Sequence, residues 1–313
     1  MTVRVLRLLL VLWLAWSAPA LAQDSVRVGV LLSGAGTSYW AVLEGLRGEL
    51  ETALPQARLE VVTLAETAPS ADALADLRTM QLIVAVGTRA ARAARRLPDG
   101  IPVLSVFLPR HAYSQVFSAS RPQRAVSAIY LEQPLSRQFA FVRALRPDAA
   151  VVGAVLGPSS AHRKPALRQA AEGAGFTLDA VEISGDDRAV TAMKRLVGRA
   201  DVLLAVPDAA VFTPNRAKWL LYMAYRRNTP LVGFSRPYVE AGALGSIFST
   251  PAQVGRQAAG RIRRWHREGA LGPPAFPLEF EVAVNRFTAR ALGIRVPEAA
   301  ALRRAVETGE VPQ

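Results

Sequence analysis

Residues 246–284 read SIFSTPAQVGRQAAGRIRRWHREGALGPPAFPLEFEVAV, and this stretch decides how the chain is connected. A short apolar run at 246–248 reads as a strand and leads into a long helix over 251–268. Gly272-Pro273-Pro274 then punctuates the chain, and a further strand follows at 280–284. A chain that finished one lobe before starting the next would not need this extra strand–helix–strand passage. It suits a chain that crosses back to a first lobe and returns to a second, with several strands forming the hinge.

Working outward, strand and helix alternate from residue 26. Apolar runs at 26–32, 59–64, 82–86 and 103–106 read as strands, separated by helical patterns over 39–53, 70–77 and 88–97. In the helix at 39–53, apolar residues fall at 39, 42, 43, 46, 50 and 53, the spacing of one buried face. Residues 110–124, rich in Ser, Arg and Gln, read as a connection. A second set follows, with strands at 126–130, 151–156, 178–183, 202–206 and 231–234 and helices over 133–145, 164–174, 187–197 and 214–227. The strands lack polar–apolar alternation, as expected for parallel sheets covered by helices on both faces. The expected fold is therefore α/β, with two doubly wound parallel-sheet lobes joined by hinge strands. The expected first lobe comprises 23–125 plus 250–275, and the second 126–249 plus 276–313. Ligands of such sheets bind beyond the carboxyl ends of the strands, which places a site between the lobes.

With 51% hydrophobic and 20% charged residues over 313 positions, the chain has the composition of a folded two-domain protein and not of a disordered one. Cysteine is absent, which excludes disulfides, thiolate catalysis, iron–sulfur clusters and a lipoprotein-type anchor, and three histidines leave little for a metal. The formal charge of +13 comes almost wholly from Arg, since Lys164, Lys194 and Lys218 are the only lysines. Arginines are spread along the whole chain, so the charge reads as solvated surface and no nucleic-acid partner is expected. Residues 1–22 read as a cleavable secretory signal: Arg4 and Arg7 precede an apolar run at 8–16, and Ala20-Leu21-Ala22 offers a small-x-small cleavage site. The run is far short of the roughly 20 residues needed to span a bilayer. The expected destination is the periplasm.

The segment Gly233-Phe234-Ser235-Arg236-Pro237-Tyr238-Val239-Glu240-Ala241-Gly242-Ala243-Leu244 resembles a stretch of the ABC-transporter substrate-binding family with a type I periplasmic-binding fold, a group that includes binders of aromatic amino acids. Gly255-Arg256-Gln257-Ala258-Ala259 is similar to its following helix. Asn285, Thr288, Ala289, Leu292, Gly293 and Pro297 have the spacing of its close. Val86-Gly87-Thr88 and Ile101-Pro102-Val103 are similar to its first-lobe turn and strand. The resemblance implies a hinged solute-binding protein that presents a small-molecule ligand to an inner-membrane permease, as a monomer, with no enzyme activity, cofactor or metal. Two departures prevent carrying over an amino-acid specificity. Arg236 stands where relatives often have an acid, and Pro207-Asp208 is followed by Ala209-Ala210 instead of a second polar partner.

Candidate ligand residues lie at strand ends. Of Tyr39 and Trp40, which open a helix, Tyr39 is expected to face the cleft as the stacking ring and Trp40 to point inward as core. Thr88 and Ser38 each open a helix, as caps or as ligand donors. Ser159, Ser160 and Ser235 offer hydroxyls. Asp208 is the expected partner of a ligand cation, and Arg236 that of a carboxylate or phosphate. Together these favour an anionic or zwitterionic organic solute. His111 and His162 fall in different lobes with no carboxylate beside them in sequence, and read as polar surface residues. Ser33-Gly34-Ala35-Gly36-Thr37-Ser38 supports an anion-friendly turn, but Tyr39 stands where a dinucleotide motif needs glycine. A sensor module reporting to a membrane kinase or an outer-membrane receptor is the second reading. A two-lobed glycosyltransferase is the enzyme alternative, for which the chain shows no nucleotide-sugar motif.

Overall fold

The structure is a computed structural model that describes residues 25–65, 74–118, 125–184 and 189–309. The signal at 1–22, the first half of the helix expected at 70–77, and the first two residues of the one expected at 187–197 lie outside the described residues.

The first sheet contains β1 (Arg27–Leu32), β2 (Arg58–Thr63), β3 (Leu82–Val86), β4 (Val103–Leu108) and β5 (Val126–Tyr130). Its order is β2-β1-β3-β4-β5, and every pairing is parallel. The central strand β3 is buried along its whole length because helices cover both faces of the sheet. Helix α1 (Thr37–Ala53) packs Val42, Leu43, Leu46 and Leu50 on one face. Helices α2 (Thr88–Ala94) and α3 (Arg110–Phe117) cover the other. Helix α3 replaces the connection expected from 110. Its buried Ala112, Tyr113, Val116 and Phe117 lie at helical spacing, which the polar residues between them conceal.

The second sheet repeats this order. Strands β6 (Val151–Leu156), β7 (Thr177–Glu182), β8 (Val202–Leu204), β9 (Leu231–Gly233) and β10 (Gly245–Phe248) run β7-β6-β8-β9-β10 in parallel, flanked by α4 (Leu135–Leu145), α5 (Lys164–Gly173), α6 (Ala189–Leu196), α7 (Pro214–Arg226) and α8 (Arg236–Glu240). After α9 (Pro251–Glu268), strand β11 (Glu281–Val284) adds an antiparallel edge beside β10. The returning chain enters the sheet at the end where β10 leaves it, so it must run the opposite way. Two helices that the sequence pattern does not announce, α10 (Arg286–Ala291) and α11 (Ala299–Thr308), complete the described chain.

Helix α9 belongs to the first lobe by packing. It starts with a capping box between Thr250 and Gln253, and ends at Gly269, whose φ of 70° only glycine adopts freely. Val254, Ala258, Ala259 and Ile262 join the core of the first sheet. The helix lies so close to α1 that a Cβ on Gly45 would overlap the backbone of Ala252, and one on Gly255 the carbonyl of Val42.

Three chain segments thus cross between the lobes: the one after β5, the one after β10, and the return before β11. Gln133 ties them together. Its side-chain amide donates to Ser249 Oγ at 2.8 Å, and its carbonyl accepts from Arg137 Nη1 at 2.7 Å. Ser249 Oγ donates to the Glu279 carbonyl, and Arg137 Nη1 also reaches the Pro277 carbonyl at 2.9 Å. Gln133 and Ser249 are buried, so each of these bonds forms away from competing water.

Candidate ligand-binding cleft

Parallel strands deliver their loops to one end of a sheet, and here both sheets direct those loops at the crossing segments. A cavity of about 550 Å³ lies there, with walls from both lobes. Arg110, His111 and Ser114 at the start of α3 form one wall. Ser159, His162 and Arg163, between β6 and α5, form the other, with Glu132, Leu135 and Phe276 of the hinge at the base.

Each part is held from behind. Backbone N–H of Arg110 donates to both carboxylate oxygens of Glu132, at 3.0 and 3.1 Å, which anchors the start of α3 to the hinge. Phe276 stacks edge-on against Tyr130 at 5.3 Å, and Tyr130 against Tyr113 at 5.9 Å. Burial, reinforced by Tyr130, pushes the Tyr113 hydroxyl up to about 12. Burial also raises Tyr130, with Arg110 opposing and Glu132 reinforcing. On the opposite wall, Asp208 organises the loop that carries Ser159. Its carboxylate accepts from Ser159 N at 3.0 Å, Ser160 Oγ at 2.8 Å and Ala210 N at 3.0 Å. Burial alone would raise Asp208, but hydrogen bonding from the Ser159 and Ser160 side chains, then from the Ala210 and Ser159 backbone, outweighs it and holds the carboxyl below its ordinary range. Gly157 is required beside it, since a Cβ there would lie 2.5 Å from Asp208 Oδ1.

The charged groups of the cavity sense one another across the lobes. Burial lowers the Arg163 guanidinium from its ordinary value, with Glu132 opposing and Arg110 reinforcing. His111 and His162 meet with ring centroids 6.0 Å apart. Among the described residues, no group of three or more His, Cys, Asp or Glu side chains is placed to hold a metal.

Of the candidate ligand residues named from the sequence, Ser159 lines this cavity. His111 and His162, read there as polar surface residues, line it as well because the two lobes bring them together. Ser160 is buried behind Ser159 and donates to Asp208. Asp208 is 6% exposed, with its oxygens engaged by donors of its own lobe. The expectation for Tyr39 and Trp40 is reversed: Tyr39 packs against the first-lobe core, edge-on to Phe107 at 6.3 Å and over Gly87. Trp40, expected inside, is exposed because it falls off the buried face of α1 formed by Val42, Leu43, Leu46 and Leu50. Thr88 is the first residue of α2. Neither Thr88 nor Ser38 caps its helix by a side chain. Gly87 and Gly36 occupy the cap positions, and Ser33 Oγ accepts from Ala90 N at 2.9 Å in place of a cap. Ser235 precedes α8, and its carbonyl accepts from Ser246 Oγ. Arg236 is exposed, pairs with Glu281 at 2.6 Å and stands over the Phe248 ring at 5.4 Å.

Glu132, Arg163 and Phe276 were not singled out. Glu132 follows β5 by two residues and so stands at a strand end, a position legible in the sequence. Arg163 and Phe276 carry no such signal, because only the packing of the hinge brings them to one cavity.

The sequence profile of a family described as ABC transporter substrate binding protein matches residues 64–308. No curated protein matches the chain. Among solved structures, a ligand-free, open substrate binding protein with adhesive properties from Clostridium difficile is similar, at 19% identity and a TM-score of 0.73, over 87% of this chain and 96% of that one. A domain from Streptococcus pneumonia in complex with L-Trp has 18% identity and a TM-score of 0.60, over 88% of this chain and 97% of that one. A solute binding protein from R. palustris in complex with 4-hydroxybenzoate has 14% identity and a TM-score of 0.53, over 77% and 80%. At these identities the likeness shows the fold, two α/β lobes of the periplasmic binding kind.

Proposed function

The chain belongs to the ABC transporter substrate binding protein family, a solute-binding and non-enzymatic class of transporter components, and we propose that it captures a small organic anion or zwitterion in the cavity between its lobes. The observation that carries this reading is the cavity itself, because its walls come from both lobes and its base from the hinge. A ligand held there contacts both walls only when the lobes approach, so binding selects the closed form. Arg110 and Arg163 supply charge-assisted donors for an anionic group, one from each lobe. Glu132, at the base, is the acceptor for a ligand ammonium group. Tyr39 and Thr88 flank the opening on the first-lobe side, and Ser159 lines the wall opposite. The proposed setting is the periplasm, with delivery of the solute to an inner-membrane permease.

Native mass spectrometry of the purified protein identifies the solute, and small-angle scattering with that solute then reads the lobes. The expected result is a smaller radius of gyration on adding it, lost in a variant with Arg110→Ala and Arg163→Ala together. A co-purified solute that binds that double variant as tightly as the parent would remove this cavity from the reading. Loss of uptake of the solute in cells lacking the protein supports delivery to a permease, and unchanged uptake refutes it.

A further inference from the structure

The two cleft histidines come from different lobes, His111 from α3 and His162 from the segment between β6 and α5, yet their rings are 6.0 Å apart. Two imidazoles at this distance disfavour protonation of both unless a negative charge stands between them. The groups facing them supply too little of that charge. Arg110 and Arg163 are cationic, and Glu132, the acidic group at this site, has both oxygens drawn to the backbone N–H of Arg110. With neutral imidazoles the cavity already carries two guanidinium charges against one carboxylate, and each imidazolium would add another.

We infer that His111 and His162 form a proton-coupled seat for an oxyanion: a carboxylate or phosphoryl group of the ligand sits between the two imidazoles, and its binding draws a proton from solvent onto the pair. This deepens the proposed capture of an anionic solute and rests on it. The proton enters from solvent, no bond of the ligand changes, and release of the ligand returns the proton. His162 already titrates below the ordinary imidazole range, first through burial, then through His111, Arg163 and Arg110, with Glu132 opposing. The free cleft therefore resists a positive charge on His162, and the anion removes that repulsion. Acidification through the imidazole range tightens the seat, by up to about tenfold in affinity per pH unit for each proton taken up.

Among the chain's three histidines, His266 lies exposed on the outer helix α9, so the imidazole spectrum contains an internal reference. Proton NMR follows the three imidazoles between about pH 7.5 and about pH 5.5, with and without millimolar benzoate as the carboxylate probe or phenyl phosphate as the phosphoryl probe. The expected result is an upward shift of the His111 and His162 titrations with at least one probe, and none for His266. The probe that shifts them identifies the head group. Calorimetry of that probe in two buffers of different ionisation enthalpy should show net proton uptake. A variant with His111→Gln and His162→Gln together should lose the uptake that the probe's own titration does not explain. Unmoved titrations with both probes overturn the seat, as does proton uptake that persists in the double variant. A solute that closes the lobes in scattering while leaving both imidazoles unmoved overturns the seat alone, whereas a cleft that no co-purified solute closes overturns the capture reading itself.

Discussion

The loop after β6 and the loops after β8 and β9 leave neighbouring strands of one sheet in the same direction, but they use their polar groups differently. The β6 loop turns Ser159, His162 and Arg163 toward the cavity. The β8 loop turns Asp208 back onto that same β6 loop, where three donors engage it. The β9 loop sends Arg236 sideways to Glu281 on the edge strand. A position at a strand's carboxyl end brings a side chain near the cleft, but a group already satisfied by its own lobe shapes a wall and leaves ligand contact to its neighbours. On the proposed reading, Asp208 acts through Ser159 in this way.

The sharpest way to break the comparison is to remove the group that shapes the wall. Asp208→Ala leaves Ser159 N, Ser160 Oγ and Ala210 N without their acceptor in a buried place, and is expected to lower unfolding stability by about 2–4 kcal/mol. Urea unfolding measures this, and a loss under about 0.5 kcal/mol, the scale of an ordinary surface change, would show that the loop does not depend on it. Arg163→Ala is the reverse case. It is expected to weaken binding of the identified solute by roughly tenfold to a hundredfold, as the loss of one charge-assisted hydrogen bond does, while leaving urea unfolding nearly unchanged. Equal losses of stability for the two variants would erase the distinction between shaping and binding.

A smaller effect follows from acid. Because the Asp208 carboxyl lies below its ordinary value in the folded chain, its contribution to stability is present above the unfolded value of about 4 and is lost as pH falls through the lower folded value. Chemical unfolding below about pH 4 should therefore show a steeper loss of stability in the parent than in Asp208→Asn. Parallel pH profiles would show that the carboxylate charge is not what holds the loop. The smallest effect is expected at Arg236→Gln. Its pair with Glu281 is largely exposed, so stability should change by about 0–1 kcal/mol. A loss of solute affinity approaching that of Arg163→Ala would instead place Arg236 at the ligand.

Much of the architecture was legible in the sequence because buried parallel strands announce themselves as short apolar runs between helical periods. The elements within 246–284 were legible for the same reason, since a strand, a long amphipathic helix and another strand are each local patterns. Helix α3 was hidden, because a half-buried helix with Arg, His, Ser and Gln on its open face has the composition of a loop. The antiparallel direction of β11 was also hidden, because direction depends on where the chain re-enters the sheet and not on which residues form it.

The site divides along the same line. The sequence by itself led to the expectation of a cleft between two sheets and of Ser159 at a strand end facing it, because strand order in a doubly wound sheet places those ends together. Only the tertiary structure decided which polar groups remain available to a ligand. Asp208 and Arg236 carry the charges a ligand would seek, but hydrogen-bond partners distant in sequence engage one, and an edge strand built 45 residues later pairs with the other. His111 and His162, 51 residues apart and unremarkable alone, become a pair because the hinge brings two separately folded walls to within one ring contact. Local pattern records how each wall forms, whereas charge pairing and desolvation depend on distances between walls, which the order of residues does not contain.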